Sequence, residues 1–75
     1  MNIERMVEMV NDIANFFASE PDHGVAVAGV ANHLKRYWEP RMRKQIVAHV
    51  REHGAQGLSE LANAAVLRLA EIDAK

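Results

Sequence analysis

The sequence predicts an all-α protein, a small bundle of about four short helices with a proline corner between helices two and three. Apolar residues recur at three- and four-residue intervals through most of the chain, which is the spacing of amphipathic helices. No segment alternates apolar and polar residues as a half-buried strand does. With 75 residues and no long linker or repeat, the chain is expected to form a single helical domain over residues 1–75.

The first helix is expected over about residues 3–18, with Asn2 as its N-cap. Its predicted core face carries Ile3, Met6, Val7, Val10, Ile13, Ala14 and Phe17. Met9 and Phe16 form a second stripe beside that face, so the apolar surface covers about half of the helical cylinder. Two assignments of this stripe stay open, namely burial under a neighbouring helix and contact with a partner protein.

The second helix follows a turn at Pro21, where Asp22 is placed to cap it. It is expected to extend from residue 24 to residue 37 or 38. Its predicted inner side is lined by Val27, Val30, Ala31, Leu34, Tyr37 and Trp38. The lysine and arginine at positions 35 and 36 are expected to face away from the core.

Pro40 predicts a sharp corner, because the residue before a proline avoids the helical region whereas proline suits the first turn of a new helix. The third helix is expected over residues 40–53, with Gly54 at its end. Ser59 is then expected to cap a fourth helix that reaches about residue 72. The predicted inner residues of that helix are Leu61, Ala62, Ala65, Val66, Leu69 and Ile72.

Composition argues against several classes of protein. The chain has no cysteine, which excludes disulfides and thiolate metal sites and favours the cytoplasm. Its apolar runs are too short to span a bilayer, and its first residues lack the layout of a signal peptide. We therefore expect a cytoplasmic protein without membrane partners.

Catalytic and metal-binding patterns are also missing from the sequence. His49 and His53 have the i, i+4 spacing of a shared metal ligand pair, but no HExxH motif or obvious third ligand accompanies them. Ser19 and Ser59 fit turn and cap positions, and the four glycines are too scattered for a phosphate loop. We expect no catalytic residues, no bound cofactor and no metal.

Residues 35–44, which we call the basic segment, are the most informative part of the chain. They hold five cations and one anion, and the rest of the chain therefore sums to −5, since the net charge is −1. The segment also contains the only Trp and the only Tyr, and these types are enriched with Arg in interface hot spots. The predicted partner-binding residues are Lys35, Arg36, Tyr37, Trp38, Arg41, Arg43 and Lys44, together with Met9 and Phe16.

Alternative assignments of the basic segment stay open. Tyr37 and Trp38 could close the core while the cations form a solvated face. Arg41 is expected on an outward arc, whereas Arg43 projects toward the apolar side and must escape at the helix end or find a carboxylate. Cations among aromatic rings also suit a free-standing nucleic-acid-binding or regulatory protein. Nine acidic residues elsewhere in the chain would repel a phosphate backbone and argue against nucleic acid.

Three stretches of the chain resemble one protein family. These are NIERMV at residues 2–7, FFA at residues 16–18 and, above all, ANHLKRYWEPRMR at residues 31–43. They resemble the delta subunit of the NAD-dependent, molybdenum-containing formate dehydrogenases, which typically reads H-L-x-x-[FY]-W-[DE]-P-R-M-R at the corner. The resemblance covers nearly the whole chain in order and is looser over the last third.

The resemblance implies an accessory role in a cytoplasmic enzyme complex. In such complexes the large catalytic (alpha) subunit carries a bis-guanylyl molybdopterin cofactor and iron–sulfur clusters. Other subunits carry FMN, further clusters and the NAD site. The delta subunit is a small non-catalytic component associated with assembly, stability or cofactor maturation. The implied partner is therefore the catalytic subunit, and contact with the other subunits stays open. Formate, molybdenum and NAD rest on the resemblance alone.

Overall fold

Four helices and no strand make up the described part of the chain, residues 2–74 of a computed structural model. The helices are α1 (Ile3–Phe17), α2 (His23–Tyr37), α3 (Pro40–His53) and α4 (Glu60–Asp73). The predicted all-α class and the corner at Pro40 are confirmed. Three of the predicted helix ends differ by one residue from those observed, and such differences are normal where helix ends fray.

Three helices begin with the predicted side-chain caps. In each, a side-chain oxygen accepts a hydrogen bond from a backbone N–H of the first turn, over 2.7 Å at Asn2, 3.1 Å at Asp22 and 3.1 Å at Ser59. Helix α3 has no such cap and begins with Pro40, which has no N–H to satisfy. It ends at Gly54, whose φ of 71° is a conformation that glycine adopts without strain.

All four helices contribute to one hydrophobic core, and α4 packs mainly against α2. The core cluster consists of Met6, Val10, Ala14, Val30, Leu34, Trp38, Ile46, Val50, Ala62, Ala65, Val66 and Leu69. The Phe17 ring packs against Gly29. A side chain at position 29 would place its Cβ only 2.6 Å from that ring. Helices α1 and α2 therefore approach closely at this point, because a glycine leaves room for an aromatic ring.

The predicted inner side of α2 is wrong at Tyr37, which is 68% exposed. Trp38 follows Leu34 and Val30 at intervals of four residues and continues their buried stripe, with only 6% exposure. Tyr37 belongs instead to the neighbouring stripe, four residues after His33. Val27 and Ile72 were also predicted to face inward and are only partly buried.

A side chain that the sequence patterns did not single out holds the loop between α3 and α4. Asn11 donates from Nδ2 to the Gly57 carbonyl (2.8 Å) and accepts at Oδ1 from the Ser59 N–H (2.9 Å). Asn11 follows Val7 by four residues and precedes Ala14 by three, so it interrupts the apolar face of α1. A polar residue in that position is the one signal that could have predicted this contact. No helix within residues 2–74 is long and apolar enough to cross a membrane.

Candidate functional site

The proline corner places Trp38 in the core and turns the chain sharply into α3. Trp38 donates its backbone N–H to the Leu34 carbonyl and then leaves the helical conformation, with a ψ of 139°. Glu39 is extended as well, as expected of a residue before proline. Of the two assignments considered for Trp38, the structure confirms burial in the core. Its further contact with a partner stays a prediction.

Arg43 is bonded within the fold through two of the three nitrogens of its guanidinium group. Its Nε donates to Asp73 Oδ2 (3.0 Å), and its Nη1 donates to the carbonyls of Lys35 and Trp38 (2.9 Å each). The Lys35 carbonyl lies in the last turn of α2, where carbonyls have no partner within the helix. The side chain is only 14% exposed. Of the two alternatives predicted for Arg43, escape at the helix end or contact with a carboxylate, the structure shows the second, and the carboxylate comes from α4.

Asp73 forms ion pairs with cations of two different helices. Besides Arg43, it accepts a hydrogen bond at Oδ1 from Lys35 Nζ (2.6 Å). The hydrogen bond from Lys35, reinforced by the bond and charge of Arg43, lowers the pKa of the Asp73 carboxyl below its usual value, although burial acts in the opposite direction. The group is thus ionised at neutral pH. We call Lys35, Arg43 and Asp73 the Asp73 network.

Asp73 was not predicted as a functional residue, because it lies 30 residues from Arg43 and 38 from Lys35. One local signal was available. Asp73 is the last residue of α4, where the helix dipole disfavours an anion. A carboxylate at that position suggests a cationic partner elsewhere in the fold.

Three cations of the basic segment have no bonding partner within the described residues. The side chains of Arg36, Arg41 and Lys44 are exposed and form no hydrogen bond or ion pair with any residue in the range 2–74. We call these three residues the free cations. Because the single negative charge of Asp73 offsets one of the two positive charges of Lys35 and Arg43, the basic segment presents less net charge than its sequence suggests. This weakens the case for a phosphate backbone as its partner.

A surface groove between α1 and α2 brings together Met9 and Phe16 with the two aromatic residues of the basic segment, whereas the predicted cations do not line it. This α1–α2 groove is lined by Met9, Asp12, Ile13, Phe16, Phe17, His33, Tyr37 and Trp38. Phe16 lies toward one end and is 80% exposed, and Tyr37 lies toward the other. The sequence patterns had treated Phe16 and Tyr37 separately, because they are 21 positions apart in the chain.

The two exposed rings of the groove are held by neighbouring rings. Phe16 packs edge-on against Phe17 with ring centroids 5.4 Å apart, and Tyr37 lies 4.8 Å from the His33 ring. Met9 is only partly exposed and packs against the core cluster. The two residues of the second stripe on α1 therefore differ. Met9 is largely covered by the fold, whereas Phe16 is open to solvent. An exposed aromatic surface of this kind commonly marks an interaction site.

The histidine pair of α3 lies apart from this groove. The rings of His49 and His53 are 5.2 Å apart and line a surface depression with Glu4 and Gln56. Within residues 2–74, no three His, Cys, Asp or Glu side chains are grouped closely enough to hold a metal ion. The geometry there provides two imidazoles and no complete coordination site.

The described residues form a small all-helical protein whose surface carries an open groove with two exposed aromatic rings. A family model described as NADH-dependent formate dehydrogenase delta subunit FdsD matches residues 5–66. The chain belongs to this family, and the resemblance found in its sequence is confirmed. Membership implies an accessory subunit associated with a formate dehydrogenase complex. No curated protein and no solved structure matches the chain significantly.

Proposed function

We propose that this chain is a non-catalytic accessory subunit of a cytoplasmic NAD-dependent formate dehydrogenase. It docks on the large molybdenum-containing catalytic subunit and supports the assembly, stability or cofactor maturation of that subunit. The observation that carries the proposal is the family match over residues 5–66. The free cations and the exposed rings of the α1–α2 groove support docking, because the cations have no partner within residues 2–74 and most of each ring faces solvent.

The redox cofactors of the complex belong, under this proposal, to other subunits. Molybdopterin, iron–sulfur clusters, FMN and NAD each need a dedicated binding site. An iron–sulfur cluster is normally held by cysteine thiolates, and this chain has no cysteine. The lack of cysteine also supports a reducing compartment such as the cytoplasm.

Arg41 is the free cation whose position argues most directly for a partner. It lies in the first turn of α3, where the helix dipole disfavours a cation by about 0.3–1 kcal/mol. Helix stability therefore does not account for an arginine at this position. Its planar guanidinium group is suited to a paired contact with a carboxylate. An acidic site on the catalytic subunit is the partner that fits this chemistry.

The proposal is tested by mixing the purified chain with the purified catalytic subunit. The two are expected to co-elute as a defined complex in size-exclusion chromatography. The chain alone is expected to show no formate oxidation with NAD or with artificial acceptors, because it has no redox centre. Failure to form any complex with the formate dehydrogenase subunits would contradict the docking role. Turnover by the isolated chain would contradict the non-catalytic role.

Arg41→Glu is expected to weaken binding to the catalytic subunit by about 1–3 kcal/mol, because it replaces a paired cation by an anion. Helix content and the unfolding midpoint should stay nearly unchanged, since Arg41 has no partner within residues 2–74. Binding is measured by titration calorimetry at low and moderate salt. Arg68→Glu is the control, because Arg68 is an exposed arginine of α4 outside the basic segment. Equal affinity of Arg41→Glu and the parent would show that the free cations are a solvated face.

A further inference from the structure

We infer that a surface depression between α3 and α4 receives an acidic segment of the catalytic subunit, whose carboxylates pair with Lys44 and Arg51. The inference rests on the proposed function and specifies a contact surface for it. Both cations line this α3–α4 depression. It shares no lining residue with the α1–α2 groove, so it is a separate feature of the surface.

Small side chains leave the α3–α4 depression open. Ala48 of α3 and Ala70 of α4 line it, together with Ala74 just after the end of α4. Its volume is about 370 Å³. Ala48 is exposed, so the residues in the range 2–74 do not cover it. The depression therefore has room for side chains of another protein.

Two cations without a partner lie on either side of Ala48 along α3. Lys44 is four residues before Ala48 and Arg51 is three residues after it, so all three lie on one face of the helix. Neither Lys44 nor Arg51 forms a hydrogen bond or ion pair with any residue in the range 2–74. Their backbones are seven residues apart, or about 10 Å along the helix axis. A segment with two carboxylates at a comparable separation would pair with both.

The other charged residues of the depression favour isolated carboxylates over a nucleic-acid strand. Arg43 and Asp73 also line it, but they are bonded to each other. The exposed Glu52 lines it as well, with Oε2 3.9 Å from His53 Nε2. An acidic protein segment can pair with Lys44 and Arg51 and leave Glu52 in solvent. A phosphate backbone carries closely spaced negative charges, which Glu52 would repel.

The sharpest test is Ala48→Glu in the full chain, because it supplies the inferred carboxylate from within the protein. A glutamate at this position reaches Lys44 and Arg51 at helical spacings that favour ion pairs. The unfolding midpoint should therefore stay the same or rise. Affinity for the purified catalytic subunit should fall about tenfold or more, because the cations are occupied and the added anion repels carboxylates. Asn15→Glu, at an exposed position of α1, adds the same charge elsewhere and should bind like the parent.

A double variant, Lys44→Gln with Arg51→Gln, removes both cations without adding an anion. It is expected to bind the catalytic subunit about tenfold more weakly or worse, as an interface that loses two charge pairs does. Its affinity should also depend less on salt, since salt screens exposed charges. The matched control is Arg5→Gln with Arg68→Gln. It changes the net charge equally at two exposed arginines that do not line the depression.

Titration calorimetry with the catalytic subunit, and with a single-stranded oligonucleotide as a second probe, separates the outcomes. Unchanged affinity of Ala48→Glu and of the double variant, while the parent binds, would overturn the inference and leave the accessory role intact. An equal loss in the matched control would overturn it as well, because net charge alone would then explain the loss. Oligonucleotide binding that only the double variant abolishes would assign the depression to nucleic acid instead. If the parent does not bind the catalytic subunit, both this inference and the proposed function fail.

Discussion

Trp38→Ala is expected to lower the free energy of unfolding by about 3–5 kcal/mol, the usual range for truncating a buried tryptophan. The indole lies in the core cluster with residues of all four helices, at the point where the chain turns from α2 into α3. Removing it leaves a cavity that the corner at Pro40 cannot easily collapse, because the backbone on both sides is constrained. The core of a domain of this size rarely contributes more than about 3–5 kcal/mol net. We therefore expect the variant to be largely unfolded at 25 °C.

The measurement is urea unfolding followed by circular dichroism, since the only tryptophan is lost. Tyr37→Ala is the control, because Tyr37 is the adjacent aromatic residue and is exposed; its effect should be within about 0.5 kcal/mol. Trp38→Phe keeps most of the apolar volume and should retain a cooperative transition. Equal midpoints for Trp38→Ala and the parent would mean that the indole serves a partner surface rather than the core.

Arg43→Ala is expected to lower the free energy of unfolding by about 2–4 kcal/mol, because several hydrogen bonds of one charged group are lost together and the Arg43 side chain is only 14% exposed. The substitution removes one bond to Asp73 and two to backbone carbonyls at the end of α2. Those carbonyls would lose a partner in a region from which water is partly excluded. Asp73, at the end of α4, would lose one of its two ion pairs.

Lys35→Ala is the control for Arg43, because it breaks the other ion pair of Asp73. Lys35 is 45% exposed, and an exposed pair of this kind contributes about 0–1 kcal/mol. Arg43→Lys separates charge from geometry, since lysine keeps the charge but has one nitrogen in place of the separate Nε and Nη1 donors that Arg43 uses. We expect it to be less stable than the parent and more stable than Arg43→Ala. Similar midpoints for Arg43→Ala and Lys35→Ala would contradict a structural role for the guanidinium group.

The two arginines on either side of Met42 thus have different roles in this structure. Arg43 is bonded to α2 and α4, so its substitution should affect the fold first and partner binding through the fold. Arg41 has no internal partner within residues 2–74, so its substitution should affect partner binding alone. Unfolding midpoints and affinities measured on the same variants separate these two roles.

The sequence by itself determined the helices, their caps and the corner. Asn2, Asp22 and Ser59 cap helices because their side chains bond backbone N–H groups only two or three residues away. Pro40 breaks the chain through its own ring and its effect on the residue before it. These interactions are local, so they can be predicted from residues that are close together in the sequence. The buried stripe of Val30, Leu34 and Trp38 follows in the same way from helical spacing. Tyr37 was misplaced because it lies close to the boundary of that stripe.

Only the tertiary structure decided which polar and aromatic side chains remain available to a partner. Asp73 pairs with both Lys35 and Arg43, although it lies 38 and 30 residues from them in the chain, so the sequence could not show which cations of the basic segment are free. The contact of Asn11 with the Gly57–Ser59 loop and the joining of Phe16 and Tyr37 in one groove are equally distant in the chain. Such contacts depend on how helices cross, and the crossing of α1 over Gly29 is set by the packing of the whole core.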